Sequence, residues 1–185
     1  MTARILTLAG PPCSGKSFLA ELIEPMFGFR WLKVDSILSH LVPNSDRCKS
    51  DRNLAYRAML LLAEELLSCG QHVMLDATYA SSEHRLATEI LAAKLAAPLF
   101  LIEFHISPEA AVSRFKNRSG HQAIDLTEIR VRDLANKYPY SELGLTIMAE
   151  QQTADVLPYI DSYLRRAEPL NTDGSWSASA EGYTS

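Results

Sequence analysis

Short apolar runs alternate with longer stretches whose apolar residues recur every three or four positions, and this alternation is the main structural signal. Residues 5–9 (ILTLA) are near-continuously apolar, as expected of a parallel strand covered on both faces. A helix follows over about 16–27, with Phe18, Leu19, Leu22 and Ile23 inward and Pro25 and Gly28 at its end. Residues 31–34 read as a second strand with Asp35 at its tip, then a short helix over 36–41 and a polar loop over 43–50. The next helix, about 51–68, offers Leu54, Ala58, Leu61, Leu62 and Leu66 as its buried stripe. It is apolar nearly all round at 59–63, which predicts a sandwiched helix. Residues 72–76 form a third strand ending in Asp76. A helix capped by Ser81 or Ser82 then turns Leu86, Ile90, Ala93 and Ala97 to the core. Residues 99–106 are the fourth strand, and Ser107-Pro108-Glu109 starts another helix. Asp125-x-x-Glu128 resembles a capping box for a helix to about Tyr138. A fifth strand over 145–148 and a helix over about 154–166, its start bent or delayed by Pro158, complete the pattern. From residue 168 the Ser/Gly/Thr-rich tail has no periodicity and is expected to be disordered. Strands alternating with helices predict an α/β fold of three layers. Its mainly parallel five-stranded sheet would carry helices on both faces, in one domain over residues 1–167.

The chemistry is concentrated between the first strand and the first helix. Gly10-Pro11-Pro12-Cys13-Ser14-Gly15-Lys16-Ser17 matches the pattern G-x-x-x-x-G-K-[ST], in the strand–loop–helix setting that this motif requires. Gly10 and Gly15 lack a Cβ, so the chain can wrap closely around an anion. Successive amide N–H groups then form a nest, and the helix adds the positive end of its dipole. Lys16 is placed to reach the β- and γ-phosphates of a nucleotide, and the Ser17 hydroxyl to hold Mg²⁺. Residues 10–17, with the adjoining Phe18, are therefore the expected ATP site. Asp35 and Asp76 stand at the C-terminal ends of strands, where ligands bind in open α/β sheets.

Composition narrows the partners. The 185 residues carry 18 basic and 22 acidic side chains, a net charge of −4, which argues against a broad nucleic-acid-binding surface. No apolar run approaches the length needed to span a bilayer, and the N-terminus lacks a signal-peptide layout. Cys13, Cys48 and Cys69 are odd in number and widely spaced, which fits reduced thiols in the cytoplasm. The base-reading signature N-K-x-D of GTPases is missing, since Asn136-Lys137 runs into Tyr138-Pro139.

Four segments together resemble a known group: GPPCSGKS, the VDS around Asp35, LDATYASSEHR from Leu75 to Arg85, and SPEAAVSRFKNR from Ser107 to Arg118. The chain is similar, over roughly residues 4–166, to the small P-loop kinases that include chloramphenicol phosphotransferase, zeta toxins and the kinase domain of polynucleotide kinase, a group often called AAA-type ATP-binding proteins. This resemblance implies a kinase-type P-loop fold and phosphoryl transfer from ATP, with Mg²⁺, to a hydroxyl of a small molecule. It implies that Asp35 is the general base and that Asp76 sits beside Mg²⁺. Arg114 and Arg118 would be catalytic arginines of a small lid over about 114–125, Arg114 also touching the nucleotide. Asp35, Asp76, Thr78 and Arg85 would face the substrate. The segment 43–50 and the loop around Tyr79-Ala80-Ser81 would shape the acceptor pocket, and neither carries a recognisable signature. An antibiotic, a nucleoside, a sugar or a natural-product intermediate would each fit. A polynucleotide 5′-hydroxyl kinase and a nucleotide-dependent switch without an acceptor stand as alternatives.

Overall fold

The computed structural model describes residues 2–117, 126–166 and 168–183. Five parallel strands, β1 (Ile5–Ala9), β2 (Arg30–Lys33), β3 (Val73–Asp76), β4 (Leu99–His105) and β5 (Leu145–Met148), form one sheet in the order β2-β3-β1-β4-β5. β1 lies at the centre, with Ile5 opposite both Val73 and Leu99, and every residue in it is buried. Its side chains alternate between two apolar layers, as the pleat requires. Ile5 and Ala9 pack on one side, against α3 (Lys49–Ser68) and α4 (Ser82–Leu95); Leu6 and Leu8 pack on the other, against α1 (Lys16–Phe27) and α7 (Thr153–Arg166). A third, smaller cluster joins α5 (Pro108–Asn117) to α6 (Glu128–Asn136) through Ala111, Val112, Val131 and Ala135. The fold is thus the expected three-layer α/β sandwich, and both layers of helices leave the C-terminal ends of β1, β2 and β3 on one rim.

Several local expectations are corrected by the packing. α3 buries Ala55, Tyr56, Met59, Ala63 and Leu67, one position away from the leucine stripe, and leaves Leu54, Leu61 and Leu62 exposed. Small Ala55 and Ala63 let the helix lie close to the sheet, which the bulkier leucines would prevent. In α4 the inward residues are Arg85, Thr88, Glu89, Leu91 and Ala92, while Leu86 and Ile90 face outward. Phe18 also points out from α1. α6 is capped by Thr127, whose Oγ1 accepts from the Arg130 amide at 3.2 Å; the expected cap, Asp125, lies outside the described residues.

The tail is the largest correction. Leu170 pairs with Leu99 across an antiparallel bridge, and α8 (Ser175–Ala178) packs on α4. The Trp176 side chain is fully buried, its ring 5.0 Å from that of Tyr79 and its amide donating to Glu89 Oε1 at 3.1 Å. One large aromatic side chain therefore anchors a segment with no helical or strand period.

Candidate active site

The phosphate loop runs from the end of β1 to the start of α1. Gly10 has φ +146°, and a Cβ there would lie 2.7 Å from the Phe104 carbonyl oxygen and 3.2 Å from Ser14 Oγ. Only glycine fits so close to β4. Gly15 and Cys13 also take positive φ, 103° and 65°, and so curl the loop between Pro11 and Lys16. Lys16 folds back over this loop, its Nζ donating to the carbonyl oxygens of Gly10 at 2.9 Å and Pro11 at 2.8 Å. Its ammonium thus already spans the cradle in which phosphate oxygens would sit.

Two oxygens flank the lysine. Ser17 Oγ donates to Asp76 Oδ2 at 2.7 Å, which joins the first turn of α1 to the tip of β3. Burial pushes the Asp76 carboxyl above its usual range, and the nearby Lys16 ammonium and the Ser17 hydroxyl oppose that shift. A serine hydroxyl and a carboxylate are hard oxygen donors, so this pair fits Mg²⁺.

Asp35 lies one residue inside α2 (Val34–Leu41), in its first turn rather than on the strand. Its carboxylate does not cap the helix. It accepts instead from Arg47 Nη1 at 2.8 Å, and it stays half exposed while Arg47 is mostly buried. The loop that delivers Arg47 is pinned by Ser45, whose Oγ accepts from the Arg47 amide at 2.8 Å. Thr78 lines the same space, its carbonyl accepting from the Gly10 amide at 3.2 Å and from the Tyr138 hydroxyl at 2.7 Å.

Arg114 reaches the loop from α5. Its Nη1 donates to the carbonyl oxygens of Cys13 and Ser14, each at 3.3 Å, and its Nη2 to that of Ala149. The helix that carries the expected lid is therefore docked on the phosphate loop itself. Arg118, and with it the stretch 118–125, lies outside the described residues.

Arg85 is not a substrate ligand. Its side chain is fully buried, and its guanidinium donates to the carbonyl oxygens of Tyr79 (2.7 Å), Pro139 (2.7 Å) and Trp176 (3.4 Å). A buried cation needs such partners, and here it ties the segments at Tyr79, Pro139 and Trp176 together. Tyr79, expected at the acceptor pocket, is also buried, while Ala80 and Ser81 do line it.

One pocket of about 570 Å³ connects these groups, running from Lys16, Ser17 and Asp76 past Asp35. It is also lined by residues that sequence reasoning missed: Arg52, Tyr56, His84, Arg130 and Tyr183. The His84 ring stacks on Tyr56 at 3.6 Å, and burial pulls its pKa down to about 4, so it is neutral near pH 7. No local motif marks these five positions; α3, α4, α6 and the tail bring them together from across the chain.

A glycine-lined phosphate cradle between the central strand and first helix of a parallel β2-β3-β1-β4-β5 sheet defines a P-loop domain of the kinase fold type. Residues 5–139 match the AAA domain family AAA_33, and the chain belongs to that family. No curated protein is recognisably similar in sequence. Among solved structures, a candidate kinase of Chloroflexus aurantiacus J-10-fl is 16% identical with a TM-score of 0.75, over 89% of this chain and 100% of its own. A sugar kinase of Janibacter sp. HTCC2649 is 14% identical with a TM-score of 0.69, over 88% of this chain and 94% of its own. The APS kinase CysC of Mycobacterium tuberculosis, in complex with AMPPNP and APS, is 18% identical with a TM-score of 0.69, over 88% of this chain and 98% of its own. At such identities the likeness is one of fold. Among the described residues no helix is long and apolar enough to cross a membrane.

Proposed function

We propose that this protein is an ATP-dependent kinase that transfers the γ-phosphoryl group to a hydroxyl of a small molecule. The observation that carries this reading is the single pocket that the phosphate loop shares with Asp35. A protein that only bound or hydrolysed nucleotide would not need this second carboxylate in the same pocket. The fold shared with kinases supports the same reading.

The residues divide the work. Amide groups of residues 10–17 and the N-terminal end of α1 receive phosphate oxygens. Lys16 exchanges its two loop carbonyls for those oxygens and so stabilises charge where it builds up. Ser17 and Asp76 would hold Mg²⁺, which neutralises charge on the phosphates. Asp35 aims the acceptor hydroxyl, whose oxygen bonds to the γ-phosphorus as the bond to the β–γ bridging oxygen breaks; the hydroxyl proton passes to Asp35 late in the step. Arg114 sits against the loop, where its guanidinium can turn from backbone carbonyls to phosphate.

ADP release in the presence of ATP, Mg²⁺ and a panel of hydroxyl compounds tests this. Lys16→Ala is expected to lower turnover by about 10²-fold or more, the scale for losing a preorganised charge-stabilising donor. Absence of binding to ATP, ADP and GTP in calorimetry would remove the reading altogether.

A further inference from the structure

The pocket is far more basic than the chain around it. Among the described residues, Lys16, Lys33, Arg47, Arg52, Arg114 and Arg130 line it, against the carboxylates of Asp35 and Asp76 alone, while the whole chain has a net charge of −4. Cations gathered in a concave, partly desolvated space draw anions. Four of the six are already committed near the nucleotide end. Lys16 and Arg114 hold the phosphate loop, Arg47 pairs with Asp35, and Lys33 lies 5.5 Å over the Trp31 ring and acts on Asp76.

Arg52 and Arg130 are different. Neither guanidinium hydrogen-bonds to or pairs with another described residue. They come from the first turns of α3 and α6, and Tyr183 reaches the same pocket from the end of the tail. The Tyr183 phenol is partly buried, which pushes its pKa up as Asp133 does, while Lys137, Arg52 and Arg130 oppose the rise. Both arginines therefore lie within electrostatic range of the phenol. A phenol O–H and two guanidinium groups are all donors to oxyanions. The neutral Tyr56–His84 stack lines the same pocket without competing for the anion.

We propose that Arg52, Arg130 and Tyr183 form an oxyanion-recognition wall, so that the acceptor is a hydroxyl compound bearing its own phosphate, sulfate or carboxylate. The oxyanion docks on this wall and turns the hydroxyl toward Asp35. The word acceptor rests on the kinase reading; the anion site does not.

The test uses the full chain saturated with Mg²⁺ and ADP, so that the phosphate loop is filled. AMP and adenosine 5′-phosphosulfate are titrated against adenosine, glucose 6-phosphate against glucose, and gluconate against glucitol, by calorimetry. ADP release from ATP is followed with the same compounds. At least one anionic member is expected to bind at least about tenfold more tightly than its neutral counterpart. Arg52→Gln and Arg130→Gln should each raise its Kd about tenfold, the scale of one charge-assisted contact, and Tyr183→Phe by less. In turnover the loss should fall on acceptor KM more than on kcat. Failure of every anionic probe to bind would overturn the proposal. So would neutral members that bind equally well, or arginine variants that weaken ADP rather than the probe. Neutral members that turn over as well as the anionic ones would leave a kinase without this wall. Anionic binding with no ADP release would leave the wall and count against the kinase.

Discussion

Asp76 carries two opposed demands at the residue scale. It must be ionised to hold a cation with Ser17, yet it is buried, and burial raises its pKa. A carboxyl whose folded pKa exceeds its unfolded value costs stability wherever it is ionised in the fold, and costs nothing below the unfolded value. Ligand-free Asp76→Asn is therefore expected to melt above the wild type at pH 7–8, with the gain shrinking as pH falls and gone below about pH 4. Melting curves across that range check the sign, and a variant that melts lower at pH 8 would refute it. The same variant should lose stabilisation by Mg²⁺ and ATP. Asp35 is the complementary case: half exposed, paired with Arg47, and open to the pocket. Asp35→Asn keeps an acceptor oxygen for Arg47 but loses the charge. It is expected to bind ATP within a few-fold of wild type and to lose phosphoryl transfer by about 10²–10⁴-fold, the range for general acid–base groups. Transfer at near wild-type rate to an established acceptor would take the base role from Asp35. These two acids and the lysine were legible because a motif or a strand end marks them. Arg85 was misread because a lone helix arginine carries no local sign of burial.

Among the elements, the tail changes the picture most. α8 spans only Ser175–Ala178, too short to hold itself together, yet it covers α4 and fills the layer between Tyr79 and Arg85 with Trp176. The Trp176 carbonyl and the Ser179 hydroxyl accept from Arg85, and the Trp176 amide donates to Glu89 Oε1. That is why α4 turns Arg85 and Glu89 inward and leaves Leu86 and Ile90 outside. Trp176→Ala is expected to cost about 3–5 kcal/mol, the range for a large aromatic removed from a core. For a chain of this size that is a fall in melting temperature of roughly 6–20 °C. Deleting residues 175–185 should do at least as much, and should also strip Tyr183 from the pocket. A truncated protein that melts with the full chain would show that the tail adds nothing. The elements themselves were mostly legible: all five strands and the helix α5 begin within two residues of where alternation and capping signals put them. What periodicity misjudged was which face of α3 and α4 is buried, since leucine-rich stripes there lost to small and polar residues that fit the sheet and the tail.

On the scale of the whole molecule, the pocket is a shared product of the phosphate loop, of β2 and β3, of the helices α1 to α6, and of the tail. A ligand that bridges them should stabilise the fold as one unit. At a hundred times its Kd, ATP with Mg²⁺ is expected to add about 2.7 kcal/mol. That corresponds to a rise in melting temperature of roughly 5–11 °C. Lys16→Ala should lose most of the rise, and scanning fluorimetry reads both; equal shifts in the two proteins would place the nucleotide elsewhere. The sequence alone determined the phosphate loop, the order of strands and helices, and the acids at the strand ends. Each of these is local: a run of eight residues, a period, or a residue next to a strand. Only the tertiary structure decided that an aperiodic tail folds onto α4, that Arg85 is a core residue, and that Arg52, Arg130 and Tyr183 meet in one pocket. Those outcomes depend on contacts between residues some 50 to 130 positions apart, and no local pattern of polarity encodes which distant side chain will satisfy a buried charge or wall a cavity.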